Sequence, residues 1–280
     1  MKNYIGAFVT LLYAATYFAL GPWSSSIDLY ISGFLLLAIG IPHGAGDHLI
    51  AAKIAQRENL TFHLRPFIVY YLGIMLVYAA LWFVSPLISF IIFIAISVFH
   101  FGDMEDVHPV EPAKTWVNLA KTICLGTGIL SFILISHWPE AYRIITDMHV
   151  NLPAKLPEFS MLSSLLFLLL GFQKKNFHSF FNSFFALVIG FFLPLIPAFI
   201  CYFSCCHAIT SFEGMRKHLK MEILELYKKL IPFSACALLL GMLYMKLVAN
   251  DLEVYPIFIF LSLLTLPHFL LMHKLIKRPN

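Results

Sequence analysis

Apolar residues fill this chain in long blocks, and short polar or Pro/Gly-containing breaks separate them. A hydrocarbon layer about 30 Å thick needs roughly 17 to 25 such residues per helix. Reading from break to break predicts helices over 4–20, 28–50, 66–84, 86–103, 116–137, 159–172, 178–194, 195–213, 231–249 and 254–274. The sixth and seventh blocks are short, and as half-spans or interfacial segments they would bring the count down to eight or nine. The fold class is therefore all-α: a polytopic transmembrane helical bundle of about 8–10 spans. With no internal repeat, low-complexity tract or linker, residues 1–280 read as a single integral membrane domain.

Composition agrees. The 280 residues are 60% hydrophobic and only 12% charged, about half the charge a soluble domain needs to coat its surface. Binding and chemistry are expected in or beside the lipid bilayer. A nucleic-acid partner is not expected, because the net charge of +4 is spread over short loops. Cys124, Cys201, Cys205, Cys206 and Cys236 all fall in apolar blocks, where buried free thiols are the plain reading. The block ending at Leu20 reads as a retained span, since no cleavage site stands out.

Charge also orients the chain. With the N-terminus inside, only Arg143, Lys155 and Lys246 of the 19 Lys and Arg residues face outward. Basic loops stay in the cytoplasm, so an even number of crossings, both termini cytoplasmic, and a multi-pass place in the cell (inner) membrane are expected.

Ionisable groups inside spans are costly and mark function. Of the 12 histidines, His63, His108, His137, His149, His178 and His218 lie in loops or at span ends and suggest nothing special. His273, beside Lys274, reads as solvated. His43, His100, His207 and His268 each fall in the last part of a span that runs from outside to inside, so all four reach a similar depth. A lone membrane histidine is more often an interhelical hydrogen-bond partner, but four at one depth point to a metal site. Imidazole suits iron, zinc and copper, and several imidazoles with few carboxylates suit divalent iron. His48 lies about 140° around the helix from His43 and would join it only if the glycine- and proline-rich backbone there is irregular. Asp47 and Asp103 follow His43 and His100 at separations that share a helix face, so each could orient its neighbour. Cys205 and Cys206 could bind a soft metal, although ordinary burial accounts for them.

Pro42-His-Gly-Ala-Gly-Asp-His48, His100-Phe-Gly, Tyr202-Phe-x-x-x-His207 and Thr265-Leu-Pro-His268 resemble, in order and spacing, the Brp/Blh family of membrane β-carotene 15,15′-dioxygenases. The resemblance runs from about residue 30 to 275. It implies an Fe(2+) enzyme that adds O2 across the central double bond of β-carotene or a similar apolar polyene and releases two retinal-type aldehydes. Its histidine ligands fall on His43, His100 and His207. Its third motif continues with a second histidine four residues on, where this chain has Ser211, and Glu105 stands where the family has Asp. The missing nitrogen could come from His268 or His48, the site could work with three histidines and water, or activity could be altered; the depth argument favours His268.

Two other readings compete. A membrane lipid desaturase or hydroxylase would carry denser histidine boxes for two irons, and no His-x-x-His-His occurs. A metal or proton transport protein could use the same histidines, but such proteins commonly contain internal repeats.

Overall fold

In a computed structural model, residues 4–19, 25–105, 115–173, 177–248 and 254–276 are described. Helices make up 87% of them, and no strand occurs among them. The helices are α1 (Ile5–Ala19), α2 (Ser25–Leu35), α3 (Ile41–Ala45), α4 (Asp47–Arg57), α5 (Leu64–Val84), α6 (Pro86–Glu105), α7 (Thr115–Ser136) and α8 (Trp138–Asp147). They continue with α9 (Ser160–Gly171), α10 (Phe177–Gly190), α11 (Leu195–Tyr202), α12 (Ile209–Leu219), α13 (Ile223–Val248) and α14 (Tyr255–Ile276). Two π-helical turns, Leu36–Gly40 and Phe203–Ala208, join α2 to α3 and α11 to α12.

Each of the ten predicted blocks is a helix. Seven apolar stretches are long enough to cross a membrane: Tyr30–Arg57, Leu64–Val84, Pro86–Asp103, Trp116–Ser136, Leu195–Leu219, Ile223–Val248 and Tyr255–Met272. The sixth and seventh blocks are short, as expected, and so is the first. The helices carrying His43 and His207 run on to Arg57 and Leu219, past the predicted ends at 50 and 213, so both histidines lie nearer mid-helix than expected. The extensions are polar, and their side chains disguised them as loop. Many large apolar side chains face outward, among them Val77, Phe83 and Val84 on α5, which suits lipid as the surrounding solvent.

The contacts divide the chain into two compact units. The first comprises the described residues of Met1–His43, Val98–Tyr142 and Pro153–Glu213. Its core includes Tyr13, Ala14, Leu193, Ala198 and Cys201. Here α1 is tied at its start by Asn182 of α10, whose Oδ1 accepts from the Ala7 amide at 3.0 Å, and the Tyr13 hydroxyl donates to buried Asp28 at 2.5 Å. Gly126 of α7 lies directly against the Val98 carbonyl of α6, a backbone approach that any side chain would block.

The second unit comprises the described residues of Gly44–Ser97, Arg143–Leu152 and Gly214–Asn280. In it α14 packs on α4, α5 and α13, and the Trp82 indole donates to Ser262 at 2.9 Å. The Tyr78 hydroxyl donates to the Ser89 carbonyl at 2.7 Å, holding α5 to α6 across Ser85. These bonds satisfy polar groups where lipid offers none.

Gly126→Val should destabilise the protein by about 3 kcal/mol, because the branched side chain has no room beside a backbone carbonyl. Gly73→Ala, with nothing near its position, should change stability by less than about 1 kcal/mol. Chemical unfolding of both variants in detergent checks the contrast.

Candidate metal centre

The backbone departs from regular helix just where two of the histidines are carried. Pro42 has no N–H to give to the carbonyl one turn back, and the turn before it is widened into the Leu36–Gly40 π-helix, closed by the Ile41 amide on the Leu36 carbonyl. His43 follows directly. The second π-helix contains His207 and is closed by the Ile209 amide on the Ser204 carbonyl. The two π turns pack on each other, and a β-carbon at Gly40 would lie only 2.9 Å from the Phe203 ring. A π turn rotates every residue after it relative to an α-helix, so side chains here are aimed in directions that simple spacing does not give.

The first unit thus brings together His43, His100 and His207, exposed by only 5%, 5% and 1%. Nε2 of His207 is 3.1 Å from Nε2 of His100, and one ring donates its N–H to the other. The ring of His43 is centred 6.1 Å from that of His100 and 5.4 Å from that of His207. His43 and His100 can offer ligand nitrogens within 4.8 Å of each other. Two imidazoles each about 2.1 Å from a shared ion would stand roughly 3 Å apart at a right angle, so the 3.1 Å separation suits a shared metal.

The surroundings are dry and aromatic. Phe203 stacks on His207 with ring centres 5.8 Å apart and meets His43 edge-on at 5.7 Å. Phe101 meets His207 edge-on at 4.9 Å and touches fully buried Tyr202. The N–H at Nδ1 of His43 donates to the Gly40 carbonyl at 3.0 Å, which assigns its lone pair to Nε2. Ser211, one turn beyond His207, is 1% exposed, and its hydroxyl has no hydrogen-bond partner among the described residues. Neutral imidazoles, a dry wall and an unsatisfied hydroxyl form a donor set that fits a divalent metal with a polar ligand beside it.

The second unit holds another buried cluster. Nδ1 of His268 donates to Oδ1 of Asp47 at 2.7 Å, and the Tyr71 hydroxyl donates to Oδ2 of the same carboxylate at 2.8 Å. Spacing pairs Asp47 with His43, yet both carboxylate oxygens serve partners on other helices. His48 stacks on Phe233, ring centres 3.8 Å apart, while its Nδ1 donates to the Ala45 carbonyl. Asp103 is partly buried on α6, and Cys205 and Cys206 are buried free thiols. His108 and the side chains of Glu105 and His273 lie outside the described residues.

The sequence profile of the β-carotene 15,15′-dioxygenase family matches residues 34–276. This chain belongs to that family. Its kind of enzyme is a carotenoid-cleaving dioxygenase, and the resemblance carried by four short motifs extends over most of its length. The β-carotene 15,15′-dioxygenase of the uncultured marine bacterium 66A03 is 24% identical over 261 residues, covering 88% of this chain and 93% of that relative. The probable β-carotene 15,15′-dioxygenase Blh of Halobacterium salinarum is 27% identical over 151 residues, 52% of this chain and 43% of its own length. No solved structure matches the chain.

Three structural supports of this family member escape sequence reasoning. Tyr71 sits among other aromatics on an apolar span, with no local signal. His137 reads as a loop residue, yet it is buried and its Nε2 donates to the Leu193 carbonyl at 2.8 Å. Glu140, one turn later, accepts the Leu195 amide at 3.0 Å. Together they clasp the start of α11, the helix that leads to His207.

His137→Ala should cost about 2 kcal/mol of stability, since the Leu193 carbonyl is left buried without its donor. His178→Ala, in an exposed pair with Tyr4, should cost less than about 0.5 kcal/mol. Unfolding curves of the two variants measure the difference.

Proposed function

We propose that this protein cleaves β-carotene, or a closely related carotenoid, with O2 across the central double bond, releasing two retinal-type aldehydes. The site is an Fe(2+) centre held by His43, His100 and His207. The observation that carries this reading is the meeting of three buried imidazoles, from the α3, α6 and second π segments, in a chain of the β-carotene 15,15′-dioxygenase family.

Iron(II) supplies the means of making O2 reactive toward an apolar double bond, which no side chain does alone. The protein's residues do the rest. The Gly40 carbonyl holds His43 in the tautomer that presents Nε2. Phe101, Tyr202 and Phe203 keep water away, which protects reactive oxygen chemistry from side reactions. A polyene needs few polar contacts, so apolar walls and entry sideways from the bilayer serve its binding.

His268 is our candidate for the fourth nitrogen. Its support is the depth match in the sequence and the carboxylate that holds its Nδ1, an arrangement common behind metal-bound histidines. Asp47 then orients His268, and Tyr71 holds Asp47. Asp103 and Ser211 are proposed to line the site without binding the ion. His48 is the weaker alternative, because its ring is engaged by Phe233 and Ala45.

Our reading puts both termini in the cytoplasm and the chain in the inner membrane. Seven long helices with an odd number of the three short ones make the even number of crossings this requires. We take residues 1–280 as one domain, because α3, α6, α8 and α12 each run from one unit into the other.

Expression in a bacterium engineered to accumulate β-carotene tests the reaction. Cells with the wild type should bleach and form retinal, and cells with His100→Ala should stay orange; unchanged pigment with well-expressed wild type would defeat the proposal. Purified protein should contain one iron per chain, whereas two would favour a desaturase-type centre. His268→Ala should weaken iron binding at least tenfold while His48→Ala leaves it nearly unchanged; the opposite pattern would move the fourth nitrogen to His48. Ser211→His should tighten iron binding by about tenfold or more, read by competition with a chelator.

A further inference from the structure

Two buried polar side chains of α2, in the first unit, take no part in the histidine cluster. Asp28 and, one turn later on the same helix face, Ser32 are both buried. The Tyr13 hydroxyl of α1 donates to Oδ1 of Asp28, and among the described residues nothing bonds Oδ2. The Ser32 hydroxyl likewise has no hydrogen-bond partner among them. Helical serines and threonines of this chain commonly satisfy themselves on a carbonyl one turn back, as Thr10 does on Gly6, Ser89 on Ser85 and Thr265 on Leu261. Ser32 does not.

Structural roles account for only part of this pair. The Tyr13–Asp28 bond ties α1 to α2, and the positive N-terminal end of α2 eases the cost of a carboxylate in its first turn. Neither role uses Oδ2 or the Ser32 hydroxyl. Buried polar groups of this kind call for a partner. A carboxylate accepts hydrogen bonds, and a serine hydroxyl both donates and accepts. A group that satisfies the two together gives one hydrogen bond and takes another, which is what an alcohol does.

Position along the helix narrows the choice of alcohol. Ser32 and His43 belong to one continuous stretch, Tyr30–Arg57. Ser32 stands eleven residues before His43, which is about 16 Å at 1.5 Å per residue. The segment carrying His207 runs beside it in the same direction, since α11 packs on α2 and the two π turns pack on each other. Its stacked series Phe199, Phe203 and His207 therefore gives an apolar molecule centred at the histidines an aromatic wall leading toward the level of Ser32. In a full-length carotenoid the ring begins about ten bonds from the central double bond, roughly 12 Å at the ~1.25 Å per bond of an extended chain. A hydroxyl on the far side of that ring lies about 4 Å further by the same bond lengths. The two spans agree. We infer that Asp28 and Ser32 read a hydroxyl on one ring of the carotenoid, Oδ2 of Asp28 accepting its hydrogen bond and Ser32 donating to its oxygen. This deepens the proposed cleavage reaction and rests on it.

The full chain, purified in detergent and kept free of O2 so that nothing is consumed, is titrated with β-carotene and with β-cryptoxanthin, which differs by one ring hydroxyl. Quenching of tryptophan fluorescence reads the binding. β-Cryptoxanthin should bind about tenfold more tightly than β-carotene. Ser32→Ala should bind β-cryptoxanthin about fivefold more weakly and β-carotene as the wild type does. Asp28→Asn keeps an oxygen for Tyr13 and puts a donor in place of Oδ2, so it should lose about tenfold for β-cryptoxanthin alone. Ser131→Ala, on α7, where the hydroxyl already donates to the Gly128 carbonyl, should change neither. Equal binding of the two carotenoids by the wild type would overturn the inference, and so would equal losses for both in the Ser32 variant, which would make that serine merely structural. Admitting O2 then tests the reaction separately. Aldehyde release with no binding preference would remove the subsite and keep the reaction, whereas a preference with no aldehyde from either carotenoid would do the reverse. Circular dichroism of each variant separates lost binding from lost fold.

Discussion

An imidazole nitrogen taken out of water must find another partner, and the interior of a chain that is 60% hydrophobic supplies few. In the first unit His100 and His207 find each other, and His43 is given the Gly40 carbonyl. In the second, His268 is given a carboxylate that is itself held by a tyrosine. Each bond turns a ring to one orientation, so the cost of burying polar rings is met by the same contacts that aim them. A site built this way is organised before any ligand arrives.

Backbone geometry carries that aim further. Both π turns lie beside a histidine of the first-unit cluster, and they pack on each other. Phe199, Phe203 and His207 form a stacked series along one helix face, so the imidazole continues an aromatic ladder. Upstream, His137 and Glu140 hold the residues that begin α11 through one carbonyl and one amide. These backbone groups at a helix start have no partner within their own helix. Satisfying them from α7 and α8 settles where the His207 segment begins.

The family relationship is distant in sequence, 24% identity to the marine bacterial relative, and it bears on one position above all. The resemblance carried by the short motifs implies a second histidine where Ser211 stands, and the Ser211 hydroxyl is buried with no hydrogen-bond partner among the described residues. A buried hydroxyl without a partner is unfavourable unless something polar sits next to it. Under the proposed function, His268 is the candidate to supply the nitrogen of that missing histidine.

The hydropathy pattern by itself determined the all-helical fold, the ten apolar helices and the four histidine-bearing segments, because each depends on residues close together in the chain. Counting residues grouped His43, His100, His207 and His268 at one depth; the structure brings the first three rings together, although His43 and His207 lie nearer mid-helix than the counting gave. Where polar side chains extend α4 and α12, counting by hydropathy stopped too soon. Only the tertiary structure decided that Asp47 serves His268, 221 residues away, along with Tyr71. Likewise only it showed the two π turns and the clasp by His137. Those features depend on how each helix is rotated and what packs against it, and a pattern of apolar and polar positions specifies a face without specifying the partner that will meet it.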